Sequence, residues 1–327
     1  MPDKLNWGII GTGNIASIFA GDMAFVEDGR LLGVGSRSGK KADEFGKRFG
    51  IERSYSSYSD LAADPDIDII YIASPHTFHF EHAVLCLENN KSVLCEKPFT
   101  VNTPQAAEVI RLAKDKNLFV MEAMWTRFLP LMKTLKDLVE NGVIGKVMSI
   151  HADFCFYHEF DKSSRLFDPA LAGGALLDVG VYPVMLAHTI FGKPKTIQAN
   201  AFIGKTGVDE STSAIFDYGR GKIATFQSSV IYTSPLEAVL SGTKGYIKIH
   251  PRWFEMSSLS IYKDGYEPEI VQEHFDGRGF HFEIKEAQRC IRNGSVESSL
   301  MPHSDTIEIM ETLDRIRDIV GLRYPFE

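Results

Sequence analysis

The chain of 327 residues is 44% hydrophobic and 24% charged, the proportions of a globular protein of about two domains, which excludes disorder or a fibrous repeat as its main content. Against 43 Asp and Glu stand 35 Lys and Arg, a formal charge of −8 without any basic block, so the electrostatic footprint that nucleic acid or an anionic membrane demands is missing. Four cysteines, Cys86, Cys95, Cys155 and Cys290, lie far apart with no C-x-x-C pair and point to a reducing cytoplasm rather than a disulfide framework.

The opening residues hold a short apolar run that leads straight into glycines, which reads neither as a signal peptide nor as a membrane span. From Leu5 to about Met121, β-prone runs alternate with segments of helical period. Strands are expected at 5–10, 30–36, 67–74, 91–97 and 118–123, with helices after Asn14 and over 40–49, 78–88 and 104–116, the last capped by Thr103. The runs around Ile69–Ile72 and Val93–Cys95 are apolar on both faces, as central strands of a parallel sheet covered by helices must be. The first domain, 1–124, therefore reads as a doubly wound dinucleotide-binding fold.

After a helix near 130–141 the rhythm changes. Strand-like runs at 146–156, 195–204, 211–219, 221–232, 236–250 and 258–265 follow one another, several separated by turn dipeptides such as Tyr218-Gly219 and Asp264-Gly265. One helical segment, Gly174–Phe191, interrupts them, and helices near 280–292 and 305–320 close the chain. The second domain, 125–327, reads as α+β with a mainly antiparallel sheet, and the family resemblance given below implies that this sheet is open and that the domain serves substrate binding and oligomerisation.

The first strand runs into Gly11-Thr12-Gly13-Asn14-Ile15-Ala16, a G-x-G-x-x-A turn opening a helix. Gly11 allows the tight turn, Gly13 leaves room for a pyrophosphate, and Ala16 lets helix pack on strand, while the N–H groups around Asn14 and Ile15 face the anion. About 20 residues on, where NAD-preferring sites place an acid on the ribose hydroxyls, the second strand ends instead in Ser36-Arg37-Ser38-Gly39-Lys40-Lys41. Arg37, with Ser36 and Lys41 in support, can hold a 2′-phosphate through paired hydrogen bonds, so the expected cofactor is NADP rather than NAD. A solvated loop before a basic helix start is the plainer reading of the same residues.

Ligands of doubly wound sheets bind beyond the carboxyl ends of the strands. There the chain places Ser74-Pro75-His76-Thr77-Phe78-His79 and Cys95-Glu96-Lys97-Pro98, which adds Ser74, Pro75, His76, His79, Glu96 and Lys97 to the candidate cofactor residues. Lys97 can donate to a substrate hydroxyl and, as a cation, lower the pKa of an adjacent acid–base group, or it is a surface lysine beside a turn-forming proline. The histidines at 76, 79 and 82 have no matching ligand set, so no metal is expected. In the second domain Gly173-Gly174 leads into a helix bearing Asp178 and Tyr182, four apart and so on one face, able to flank an alcohol that loses a proton as hydride departs. Ordinary polar groups on an amphipathic helix would look the same.

Together the motifs 11–16, 74–79, 95–99 and 173–182 resemble, in order and spacing, the glucose-fructose oxidoreductase / inositol dehydrogenase / MocA family over essentially the whole chain. Ser36-Arg37, the segment Met121–Phe128 and Tyr182 resemble its dihydrodiol dehydrogenase and NADP-dependent D-xylose dehydrogenase branch. The resemblance implies a catalytic Lys97, Tyr182 as the acid–base group, Asp178 as a substrate or cofactor ligand, and Trp125 in the pocket near the nicotinamide. It also implies a homodimer or higher oligomer built on the open sheet and a sugar, polyol or trans-dihydrodiol as substrate. His76 stands where the family usually has Asn. A non-catalytic NADP-responsive regulator and an NAD-dependent inositol or sugar dehydrogenase are the alternative readings.

Overall fold

The computed structural model describes residues 4–327. They form two compact units, one of residues 4–128 and 275–307, the other of 129–274 and 308–327. Where the sequence suggests one boundary after residue 124, the backbone passes between units three times. The cause is a helix that the linear reading assigns to the second domain. This helix, Phe280–Arg292, packs with the first unit: Gln288 accepts from the Trp7 indole N–H at 3.3 Å, and the buried Asp22 carboxylate accepts from Phe280 N at 2.8 Å and from Arg278 N at 2.8 and 3.0 Å. Asp22 thus supplies, from elsewhere in the chain, the cap that a helix N-terminus needs.

In the first unit β1 (Leu5–Ile10), α1 (Asn14–Asp22), β2 (Gly29–Gly35), α2 (Gly39–Phe49), β3 (Arg53–Tyr55), α3 (Tyr58–Ala63), β4 (Ile69–Ile72), α4 (His79–Glu88), β5 (Ser92–Glu96), α5 (Thr103–Asp115) and β6 (Val120–Ala123) follow in order. The six strands pair in the order β3-β2-β1-β4-β5-β6, all parallel, the doubly wound arrangement the sequence predicts. All residues of β4 and β5 are buried, which is why those runs show no alternation. Local chemistry sets the helix ends: Ser38 Oγ accepts from Lys41 N at 3.4 Å at the start of α2, and Gly50, at φ 67°, closes it. For α5 the cap is Asn102, whose Oδ1 accepts from Gln105 N at 3.1 Å, and not Thr103 as the sequence suggested. The short β3 and α3 escape sequence reading because three and six residues show no clear period.

The second unit contains α6 (Pro130–Glu140), β7 (Val147–Cys155), α7 (Val181–Phe191), β8 (Thr196–Ile203), β9 (Asp209–Gly219), β10 (Lys222–Ser229), β11 (Ala238–Gly242), β12 (Gly245–Ile249), β13 (Ser258–Tyr262) and β14 (Glu269–Gln272). Its eight strands run β14-β13-β12-β11-β7-β10-β9-β8, antiparallel except for the parallel pair β7–β10. In β9 and β10 buried and more exposed residues alternate, the mark of a sheet covered on one side. The segment Pro169–Phe191 is apolar and long enough to span a membrane by composition, yet 89% of that window is buried inside the fold, as in the core helix of a globular unit. Helix α8 (Phe280–Arg292) belongs to the first unit, and α9 (His303–Val320) starts there and ends in the second.

Candidate active site

At the end of β1 the chain turns on Gly11, whose φ of 107° suits glycine and whose added Cβ would lie 2.8 Å from the Ala73 carbonyl oxygen. Beside it, an added Cβ on Gly13 meets nothing within 4 Å, so the backbone there fronts open space. No side chain caps α1, and its first turn holds no acid. A helix of this length with uncapped N–H groups behind a glycine turn is a site for a phosphate-borne anion. These residues fit a dinucleotide: Gly11, Gly13, Asn14 and Ile15 lie where its pyrophosphate would be held.

The residues after β2 divide by role. Ser36 is buried, and its hydroxyl accepts from Ser38 N at 3.3 Å, so it orders the loop. Lys40 pairs with Glu44 at 3.9 Å along the exposed face of α2, and Lys41 is exposed beside it. Arg37 is exposed at the strand mouth, its guanidinium 5.7 Å from the centre of the Phe78 ring. Stacking on an aromatic face orients the planar fork that a phosphate requires.

The exits of β4 and β5 are tied together by His79. Its Nδ1 lies 2.8 Å from the Pro98 carbonyl and its Nε2 2.9 Å from the Ser74 carbonyl, and burial lowers its pKa. His82 turns to Ser74 Oγ at 2.9 Å, with its pKa pushed down to about 4, chiefly by burial. His76 sits in a short helical turn after Pro75, its ring 5.8 Å from that of His79. Among the described residues no three His, Cys, Asp or Glu side chains are grouped so as to hold a metal ion. Lys97 follows β5, partly buried. Behind it lie three buried carboxyls. Glu96 accepts from the Tyr71 hydroxyl and from Lys97 N at 3.2 Å, Glu122 from Phe99 N at 3.1 Å, and burial pushes both up to about 7. The third, Glu283 of α8, is fully buried, and neither oxygen has a hydrogen-bond partner among the described residues. Burial first, then the charges of Glu96 and Asp22, hold its pKa well above the carboxylate range. Cys95 is a buried thiol donating to the Phe99 carbonyl, inert rather than nucleophilic. Trp125 stacks on Phe280, 5.3 Å between ring centres at 14°.

In the second unit Asp178 and Tyr182 are 5% and 6% exposed. The backbone from Leu176 to Gly180 forms a wide π-helical turn before α7, a distortion that recurs at functional sites. Its start is fixed by the buried Asp209, which accepts from Leu176 N at 2.8 Å and from the Thr212 hydroxyl at 2.6 Å. The Tyr182 ring lies 5.3 Å from Phe154 and 5.7 Å from Phe254, which stack on each other at 4.0 Å, so two rings hold the phenol in place. Asp178 is bound by Arg165 at two points, Nη1 to Oδ1 at 3.0 Å and Nη2 to Oδ2 at 3.3 Å.

The fold thus distributes the sequence candidates between units: Lys97, Trp125 and the turn residues in the first, Asp178 and Tyr182 in the second. Sequence reasoning missed Arg165, Phe154, Phe254 and Glu283. No motif surrounds Arg165, and the one trace of it in the sequence is the glycine pair at 173 and 174, which lets its loop approach. Tyr157 is 66% exposed, and His158 hydrogen-bonds the Glu159 carbonyl at 2.7 Å.

A parallel sheet of this order with a glycine turn on an uncapped helix defines a dinucleotide-binding protein, here joined to an α+β unit. Residues 5–124 match the model of an oxidoreductase family with an NAD-binding Rossmann fold, GFO/IDH/MocA, and residues 132–248 match the C-terminal domain of the same family. A trans-1,2-dihydrobenzene-1,2-diol dehydrogenase of Xenopus tropicalis is 34% identical over 98% of this chain and 99% of its own. A D-xylose 1-dehydrogenase (NADP+) of Hypocrea jecorina is likewise 34% identical, over 99% and 94%. Among solved structures, a 3-ketoreductase from Actinomadura kijaniata with NADP and TDP-benzene shares the fold at a TM-score of 0.88 and 23% identity, covering 97% of this chain and 98% of that one. The chain belongs to the GFO/IDH/MocA oxidoreductase family.

Proposed function

We propose that the protein is an NADP-dependent oxidoreductase that transfers hydride between the nicotinamide and a secondary alcohol or anomeric carbon of a sugar, polyol or trans-dihydrodiol. When bound, the cofactor supplies the hydride acceptor or donor. The residues after the glycine turn hold its pyrophosphate, and Arg37 binds its 2′-phosphate. Lys97 donates to the substrate oxygen, Tyr182 takes or returns the hydroxyl proton, and Asp178 orients the substrate. The observation that carries this reading is the clamped Tyr182 phenol beside an arginine-bound carboxylate, on a helix distorted at that point. An unperturbed phenol has a pKa of about 10, so positive charge around the reacting alcohol must favour phenolate during the reaction. The four cysteines, all buried free thiols, suit a reducing cytoplasm.

Changing Arg37 to Ala removes a charge-assisted pair with the 2′-phosphate and is expected to weaken NADP binding by about 1.5 to 3 kcal/mol while leaving NAD almost unchanged. Fluorescence titration with both reduced cofactors reads the difference, and equal losses for the two would overturn the assignment.

A homodimer through the outer face of the eight-stranded sheet accompanies this reading. On that face Phe202 is 57%, Ile215 46% and Ile223 40% exposed, and Ile215 and Ile223 are diagonal neighbours across β9 and β10. Sedimentation equilibrium should give twice the chain mass, and Ile215→Lys with Ile223→Lys should return the monomer. A wild-type monomer at micromolar concentration contradicts the proposal.

A further inference from the structure

The Arg165 loop is held against the glycine pair more closely than any larger residue would allow. A Cβ on Gly173 would come within 2.6 Å of the Arg165 carbonyl oxygen and 2.8 Å of that of Leu166. Gly174 N donates to the Leu166 carbonyl at 2.9 Å, Gly173 N to that of Asp168 at 3.0 Å, and the Tyr324 hydroxyl fixes the Gly173 carbonyl at 2.9 Å. Beyond the backbone, Leu166 and Phe167 bury their side chains against Ala175 and Val230. The loop is therefore anchored immediately after Arg165, while the arginine side chain itself remains 52% exposed.

A guanidinium has five N–H donors in a rigid fork. Asp178 engages one from each terminal nitrogen, and the rest, Nε–H included, have no protein partner among the described residues. The result is an arginine locked at one edge by a buried carboxylate and open at the other. A donor edge next to an acceptor carboxylate matches two adjacent oxygens, one giving and one receiving a hydrogen bond. Sugars, polyols and trans-dihydrodiols share that arrangement: each is a vicinal diol.

We infer that Arg165 is a specificity-determining residue that reads the hydroxyl next to the reacting one, so that the enzyme's substrate class is the vicinal diol and not the simple alcohol. The inference rests on the proposed function, and it makes Arg165 a contact of the substrate rather than a prop for the fold. A site built to hydrogen-bond a hydroxyl rejects the analogue that lacks it, because its polar groups are then left unmatched.

The test compares trans-cyclohexane-1,2-diol with cyclohexanol, NADP in excess, in the wild type, Arg165→Leu and Arg165→Lys. In the wild type the diol should exceed the mono-ol in kcat/KM by roughly a hundredfold. Arg165→Leu should lower that ratio by roughly tenfold or more, mainly through the KM for the diol, with guanidinium ion in the assay restoring part of the loss. Arg165→Lys, which keeps the charge but not the fork, should fall between. NADPH titration of each variant confirms a folded dinucleotide unit. A wild type active on the diol whose ratio is unchanged in Arg165→Leu overturns this inference and leaves the proposed function standing. A wild type that binds NADPH yet oxidises neither these alcohols nor any pentose, hexose, inositol or aromatic trans-dihydrodiol overturns both.

Discussion

Replacing Tyr182 by Phe is expected to lower kcat by a factor of roughly 10² to 10⁴, the usual contribution of a positioned acid–base group, while NADPH binds with unchanged affinity. The substitution is clean because the ring stays: Phe154 and Phe254 touch the aromatic face of Tyr182 at 5.3 and 5.7 Å between centres, and these contacts survive loss of the hydroxyl. The dinucleotide turn lies in the other unit, on residues of β1 and α1. Steady-state kinetics on a diol or sugar, paired with NADPH fluorescence titration, separates the two effects. A kcat within about threefold of wild type would remove Tyr182 from the chemistry and shift the proton to another group.

The second large effect concerns stability rather than turnover. Glu283 is fully buried without a hydrogen-bond partner among the described residues, and its pKa stands well above the ordinary value because burial, then Glu96 and Asp22, disfavour its charge. A carboxyl whose folded-state pKa is raised keeps its proton when the unfolded chain has lost it. Its stabilisation is complete below the unfolded value, near 4.5, and is lost as pH rises toward the folded one. Glutamine has the same shape and no proton to lose. The stability of Glu283→Gln relative to wild type should therefore grow by up to about 1.4 kcal/mol per pH unit above that point. The difference should widen steadily between pH 5 and pH 8, read from urea unfolding of both proteins. Comparing two proteins that differ at one residue cancels the buried histidines, whose lowered pKa values act in the opposite direction. A difference that stays constant across this range would mean that Glu283 is charged in the native state and neutralised by an unrecognised partner.

Both effects arise at residues of different legibility. Tyr182 was readable because it falls in a run with small residues before it and a carboxylate four positions earlier. The doubly wound parallel sheet of the first unit was readable from the alternation of elements and the apolar runs of β4 and β5, and the turn after β1 from its glycines. Arg165 and Glu283 were not, since each acts through a partner distant in the sequence: Asp178 across a loop, and Glu96 across the helix–sheet boundary. The same holds for the unit boundary. Helix α8 has an ordinary amphipathic period, and only the Asp22 carboxylate and the Trp7 indole, more than 250 residues upstream, reveal which core it joins. The serines after β2 were legible as hydroxyls near a phosphate site, but their hydrogen bonds go to the loop and to the start of α2.

The division of the first unit into residues 4–128 and 275–307 has a consequence for how the protein is made. During synthesis the whole parallel sheet leaves the ribosome before α8 exists, so Asp22 and Trp7 wait without Phe280 N and Gln288 while residues 129–274 are translated. The nascent sheet then has an uncovered flank through all of that elongation. A premature stop before residue 275 leaves the flank bare for good, and the truncated product becomes a client for chaperones and proteases even though every residue of its glycine turn is present.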